Sequence, residues 1–187
     1  MRAGPELRSD RLVLRRWRED DREPFSRLNA DPVVMEHFPD RLTREKSDQL
    51  VDRIEADFEA QGYGLWAAEV PGVAPFIGFV GLNIAKFEAH FTPALEVGWR
   101  LDRPYWGNGY ASEGGRAALG FAFGELGVDE VVSFTNVQNE RSRRVMERLG
   151  LQRDPRDDFE HPNLPEGHRI RSFVLYRIGR AAWGSTA

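Results

Sequence analysis

The stretch Arg103 to Glu113, R-P-Y-W-G-N-G-Y-A-S-E, constrains the fold of this chain more than any other. It stands between an extended apolar run and a helical one. Ahead of it, Leu95, Val97, Trp99 and Leu101 alternate with Glu96, Gly98 and Arg100, the period of a strand with one apolar face. Behind it, Ala111, Gly115, Ala118, Ala122 and Leu126 recur at helical spacing, with small residues along one side that let a helix lie close on a sheet. Gly107 and Gly109 strip side chains from the junction itself. The start of a helix carries unpaired N–H donors and the positive end of the helix dipole, so bare backbone there suits a phosphate. The same Gly pair equally suits a turn that needs positive φ angles.

Three phosphate-binding patterns compete for this junction. A Walker loop needs G-x-x-x-x-G-K-[ST], a string absent from the chain. A Rossmann fingerprint needs a third Gly or Ala where Ser112 stands, together with an early βαβ unit, and fits poorly. The remaining pattern is an acyl-CoA loop. L-E-V-G-W-R-L, then R-P-Y-W-G-N-G-Y-A-S-E-G, then N-E-R-S-R-R-V-M-E-R-L-G-L resemble, in that order, the GNAT superfamily of acetyl-CoA-dependent N-acetyltransferases. Within it the chain is most similar to the RimJ/RimL type, the ribosomal-protein N-acetyltransferases, over Leu12 to Ile178.

Composition narrows the alternatives. The 187 residues suit a single domain, 1–187, with 41% hydrophobic and 30% charged residues as in a soluble globular protein. A net charge of -4 offers no overall basic field for nucleic acid. No apolar run is long enough to span a bilayer, and M-R-A-G-P-E-L-R-S-D lacks the apolar core of a signal peptide. The absence of Cys removes a disulfide framework, a thiolate metal site and a Cys nucleophile together. These features suggest a cytoplasmic protein, with homodimer formation left open.

Along the chain, a strand is expected at Leu12 to Arg15 and a helix to about Asn29. A second helix begins at Thr43 and stops at Gly62. Leu65 to Val70 and Phe76 to Ile84 flank the turn P-G-V-A-P as a hairpin. Strands at Thr92 to Leu101, Glu130 to Thr135 and Arg171 to Ile178 alternate with two helices, one to about Leu126 and one capped by Asn139. Asp154 to His168 is too rich in Pro and Asp for an ordinary connector. The class is α/β, and the resemblance implies a mixed, mostly antiparallel, splayed central sheet of about seven strands with helices on both faces.

Amide formation from a thioester needs a held acyl carrier, a neutral amine, a stabilised oxyanion and a protonated leaving thiolate. The resemblance implies acetyl-CoA as co-substrate, held by backbone from Trp106, Gly107, Asn108, Gly109, Tyr110 and Ala111. Pro104 stands where the family writes Gln or Arg, with Arg103 as a neighbouring cation. Glu96, on the strand the family uses to align the acetyl group, is the first candidate for the general base, since partial desolvation raises a carboxylate toward a useful range. A Glu in a rim ion pair is the plain alternative. Glu160 and His168 stand behind it.

The N–H of Val97 is a candidate donor to the thioester oxygen, beside Gly98 as the strand's bulge position. The family's usual Tyr acid falls on Met146, a departure that the RimJ/RimL type commonly shows. Ser142 then becomes the candidate acid and Asn139 a candidate pantetheine contact, while both also read as ordinary first-turn and cap residues. His37, His90, His161 and His168 lack metal-ligand spacing, so no metal is expected. The acceptor is a small-molecule amine or a protein N-terminal α-amine. A non-catalytic acyl-CoA-binding module is the rival reading.

Overall fold

The computed structural model describes residues 4–185. Strands β1 (Leu7–Arg8) and β2 (Val13–Arg15) open the chain, followed by helices α1 (Arg22–Ala30) and α2 (Arg44–Gln61). Next come β3 (Leu65–Glu69), β4 (Gly78–Ala85) and β5 (Ala94–Leu101), then α3 (Tyr110–Gly124), β6 (Glu130–Asn136) and α4 (Glu140–Arg148). The chain closes with β7 (Gln152–Arg153), β8 (Phe159–Glu160), β9 (Ser172–Gly179) and α5 (Arg180–Gly184). The nine strands of the described residues join one sheet in the order β1-β2-β3-β4-β5-β6-β9-β7, with β8 added to β9. The six longer strands fall where the sequence places strands, and β1, β7 and β8 are two-residue segments, too short to show a period in the sequence.

Local chemistry explains the helix ends. Thr43 Oγ1 accepts from the Lys46 amide at 3.3 Å, and Gly62 closes α2 in the left-handed region at φ 78°. Asn139 Oδ1 accepts from the Ser142 amide at 3.2 Å and starts α4.

Which face a side chain takes follows from the pleat. In the antiparallel β4–β5 pair, Val80 lies opposite Trp99, Phe79 opposite Arg100 and Asn83 opposite Glu96. Helix α3 packs on the Val80 face so closely that a Cβ on Gly114 would stand 3.1 Å from Val80. A Cβ on Gly115 would stand 2.7 Å from Leu149 of α4, so the small residues of α3 set its distance from both neighbours. On the other face, Phe25 of α1 is fully buried among Trp17, Phe76 and Phe79. Burying such a ring stabilises by roughly 2–3 kcal/mol. Glu96, Gly98 and Arg100 therefore share the α1 face, while Leu95, Val97, Trp99 and Leu101 share the α3 face.

One joint in the sheet is incomplete. β6 pairs with β9 along its whole length, yet β5 and β6 run parallel and meet at a single register position, Glu96 opposite Val132. Beyond it no further pair joins them, which leaves a wedge of unpaired backbone between the C-terminal ends of β5 and β6.

Candidate active site

At the wide end of the wedge, Asp102 caps a short 3-10 turn at Arg103–Tyr105, and the chain then passes through Gly107 and Gly109 into α3. Both glycines are left-handed, φ 79° and 84°, a conformation other residues adopt only with strain. Apart from its own chain neighbours, no described residue lies within 4 Å of where a Gly107 Cβ would be. No side chain caps α3 at Gly109, and Ser112 Oγ, buried in its first turn, has no hydrogen-bond partner among the described residues. Open space, uncapped helix N–H groups and an orphaned hydroxyl together fit a phosphate group.

Beside Arg103, which the sequence offers, two further cations stand at this mouth. Arg103 is exposed. Arg11, 102 residues from Glu113, donates to it through its amide at 2.7 Å and through Nε at 2.7 Å. Its guanidinium lies over the Tyr110 ring at 4.9 Å. From the opposite wall, Arg141 of α4 stacks on Trp106 at 4.7 Å. Trp106 is itself held by an indole N–H donated to the Leu101 carbonyl at 2.7 Å. Neither contact carried a signal in the sequence, since each joins segments distant along the chain.

At the narrow end of the wedge stands Glu96. Burial pushes its carboxyl up to about 7, with the Asn83 amide pulling weakly the other way. No cation pairs with it among the described residues, so the rim ion pair is not formed. Gly98 leaves the space beside it open, and Val97 is the first residue past the joint with β6. A carboxyl in this range holds and releases protons near neutral pH.

On α4, the Asn139 amide group is occupied on both sides, capping Ser142 and donating to Thr135 Oγ1 at 2.9 Å. Ser142 is half-buried, and its Oγ makes no hydrogen bond among the described residues. Met146 is 1% exposed and belongs to the core, which leaves no room for a working acid at that position. Tyr176 does not replace it: its hydroxyl is shared by Arg143 at 3.3 Å and Glu147 at 3.1 Å, beneath α4.

Two loops cover the Glu96 face. The segment between α1 and α2 brings His37 to Asn136 at the end of β6, where burial holds the imidazole below its usual range and Arg141 and Arg169 reinforce that direction. Arg169 donates to the carbonyls of Glu36 at 2.7 Å and Phe38 at 3.2 Å, tying this loop to the one before β9. Over β6 and β9, Phe87, Phe91, Phe134, Phe159 and Phe173 form a partly exposed aromatic cluster, with His161 4.5 Å from Phe87. Four acidic residues of this region pair with arginines. Asp154 pairs with Arg156, Asp158 with Arg153, Asp157 with Arg177 and Glu160 with Arg171. These pairs offset most of the loop's negative charge, and Glu166 is its exposed carboxylate without an ion pair among the described residues.

Residues 11–152 match the model of the acetyltransferase (GNAT) domain. The chain belongs to the GNAT acetyltransferase family. Its relatives include the uncharacterized protein YkkB of Bacillus subtilis, 30% identical over 81% of this chain and 87% of its own. Another is a protein of Aspergillus fumigatus named FsC-acetyl coenzyme A-N(2)-transacetylase, also 30% identical, over 98% of this chain and 80% of its own. Among solved structures, a GNAT acetyltransferase from Bacillus anthracis superimposes with a TM-score of 0.78 at 24% identity, covering 95% of this chain and 99% of the other. An acetyltransferase from Agrobacterium tumefaciens gives 0.74 at 26% identity, over 93% and 94%. This GNAT chain is an acetyl-CoA-dependent acetyltransferase, and the glycine mouth of α3 is chemically suited to the diphosphate of that co-substrate.

Proposed function

We propose that this GNAT enzyme moves the acetyl group of acetyl-CoA to a primary amine by direct attack within a ternary complex. The observation that carries the reading is Glu96, a carboxyl raised to about 7 at the single joint of a splayed sheet. Acetyl-CoA supplies an activated acyl group. The chain supplies the rest: backbone from Trp106 to Ala111 grips the diphosphate, and Arg11 and Arg141 add positive charge beside it. Glu96 takes a proton from the ammonium so that the amine lone pair is free. The Val97 amide polarises the thioester oxygen. The proton that the nitrogen sheds on becoming an amide passes through the Ser142 hydroxyl to the departing sulfur, so Ser142 ends as it began, with Asn139 holding the first turn of α4 in place.

The acceptor is a small-molecule amine or, as the RimJ/RimL resemblance suggests, a protein N-terminal α-amine. No covalent enzyme intermediate is required, which suits a chain without Cys. The same absence makes the test simple, because released CoA is the only thiol formed. Incubation with acetyl-CoA and a panel of amines should release CoA with at least one acceptor, accompanied by a product heavier by one acetyl group. Stabilisation by CoA without release on any amine would favour the non-catalytic binding module.

A further inference from the structure

Arg100 is a guanidinium without an anion. It lies on β5 on the same face as Glu96, and no carboxylate among the described residues comes within ion-pair distance. Its Nη1 donates to Asn29 Oδ1 at 2.6 Å, and Asn29 Nδ2 in turn donates to Ser47 Oγ at 2.9 Å. Asn29 and Ser47 are both fully buried, so this relay through α1 and α2 fixes the guanidinium from behind. Phe38 lies over its plane at 4.0 Å and Phe79 at 5.5 Å. Nε is sealed from solvent and has no partner, and Nη2 donates to no described residue.

That arrangement leaves one specific edge of the fork without a hydrogen-bond partner. Nε and Nη2 lie side by side on a guanidinium and together form the edge that grips a carboxylate with two parallel bonds, whereas Nη1 is already spent on Asn29. Burial depresses the group to about 10, so it stays cationic at neutral pH and lacks a counter-charge. The direction excludes the helix mouth, because α3 packs on the opposite face of β5. Glu96 and Arg100 are two pleats apart, about 13 Å between Cα atoms at the usual strand rise. Their long side chains reduce that span to the size of a small molecule.

The geometry points to Arg100 as the receptor for a carboxylate carried by the acceptor, which makes the acceptor class an amino acid or a related amino carboxylate. This rests on the transferase reading with Glu96 at the amine end. It takes no support from the acidic loop, most of whose carboxylates pair with arginines.

Two measurements test it on the full chain loaded with CoA. In an NMR spectrum of arginine Nε–H groups, Arg100 is assigned as the signal missing from Arg100→Lys. Titration with 4-phenylbutyrate should shift that signal saturably, and the neutral 4-phenylbutanol should not. A signal unmoved by the carboxylate, or moved by CoA alone and then insensitive to the carboxylate, overturns the proposal. In kinetics, amino acids are compared with their decarboxylated amines, phenylalanine with phenethylamine and 4-aminobutyrate with propylamine. The ratio of kcat/KM values should favour the amino acid by about tenfold or more in the wild type, fall toward one in Arg100→Met and recover in part in Arg100→Lys. An equal ratio in wild type and Arg100→Met also overturns it. A carboxylate-induced shift with no amine ever consumed would keep the anion site and refute the transferase reading instead.

Discussion

The Glu96 carboxylate lies against the bare backbone of Gly98, its Oε1 3.6 Å from where a Cβ on that residue would stand. Both occupy the face that carries α1, and the missing side chain keeps open the ground beside the proposed base. A methyl group at 3.6 Å is ordinary van der Waals contact, and Gly98 does not need a left-handed backbone. Gly98→Ala should therefore fold with a Tm within about 2 °C of the wild type. Acceptor turnover should fall by roughly tenfold in kcat/KM as the space for the amine narrows. Unchanged kinetics would place the amine elsewhere.

Glu96 also carries a pH signature. Its carboxyl sits near 7 instead of 4.5, so the form that accepts a proton fills as pH rises through neutrality. Turnover should climb with that limb, and Glu96→Gln should lower kcat by about 10²- to 10⁴-fold and erase it. Stability moves the opposite way. A carboxyl held above its unfolded value stabilises the fold below the unfolded value, and that contribution is lost as pH rises through about 7. Glu96→Gln should match the wild type in thermal unfolding near pH 4 and exceed it at pH 8, on the order of 2 kcal/mol. Parallel curves at both pH values would contradict a buried, unpaired carboxyl.

At the mouth of α3, Gly107 separates backbone strain from ligand binding. Asn tolerates the left-handed region, and nothing in the protein obstructs a side chain there. Gly107→Asn should keep its Tm within about 2 °C but weaken CoA by roughly tenfold or more, as measured by calorimetric titration. CoA bound as tightly as before would exclude this loop as the diphosphate cradle.

The first turn of α4 divides its tasks between two residues. Asn139→Ala removes a cap and should cost about 1 kcal/mol, visible as a Tm lower by about 2–4 °C. Ser142→Ala leaves that cap in place, since only the Ser142 amide takes part in it. It should preserve Tm and reduce kcat by about tenfold or more with a poor leaving thiolate. Full activity in Ser142→Ala would assign sulfur protonation to water.

How much of this was legible beforehand depended on the range of the interaction. The alternation around Glu96 and the small-residue face of α3 are local periods, and both elements appear where those periods put them. Thr43, Gly62 and Asn139 carry their reasons in their own side chains or lack of them, so the helix ends were also readable. His37, in contrast, falls in a segment with no period at all, yet it ends beside Asn136 at the tip of β6. Arg100 reads only as the polar half of a strand.

Short-range physics in the letters alone thus specified the strand–loop–helix junction, the bare amides at its centre and the face on which Glu96 stands. Assembly of the sheet decided the remainder: a lone joint between β5 and β6, a mouth charged by Arg11 and Arg141, and a guanidinium left without its anion. Pairing register and burial are properties of segments brought together from far along the chain. They set the Glu96 carboxyl near neutrality and Arg100 beneath Phe38, and neither residue's immediate neighbours in the chain contain that information.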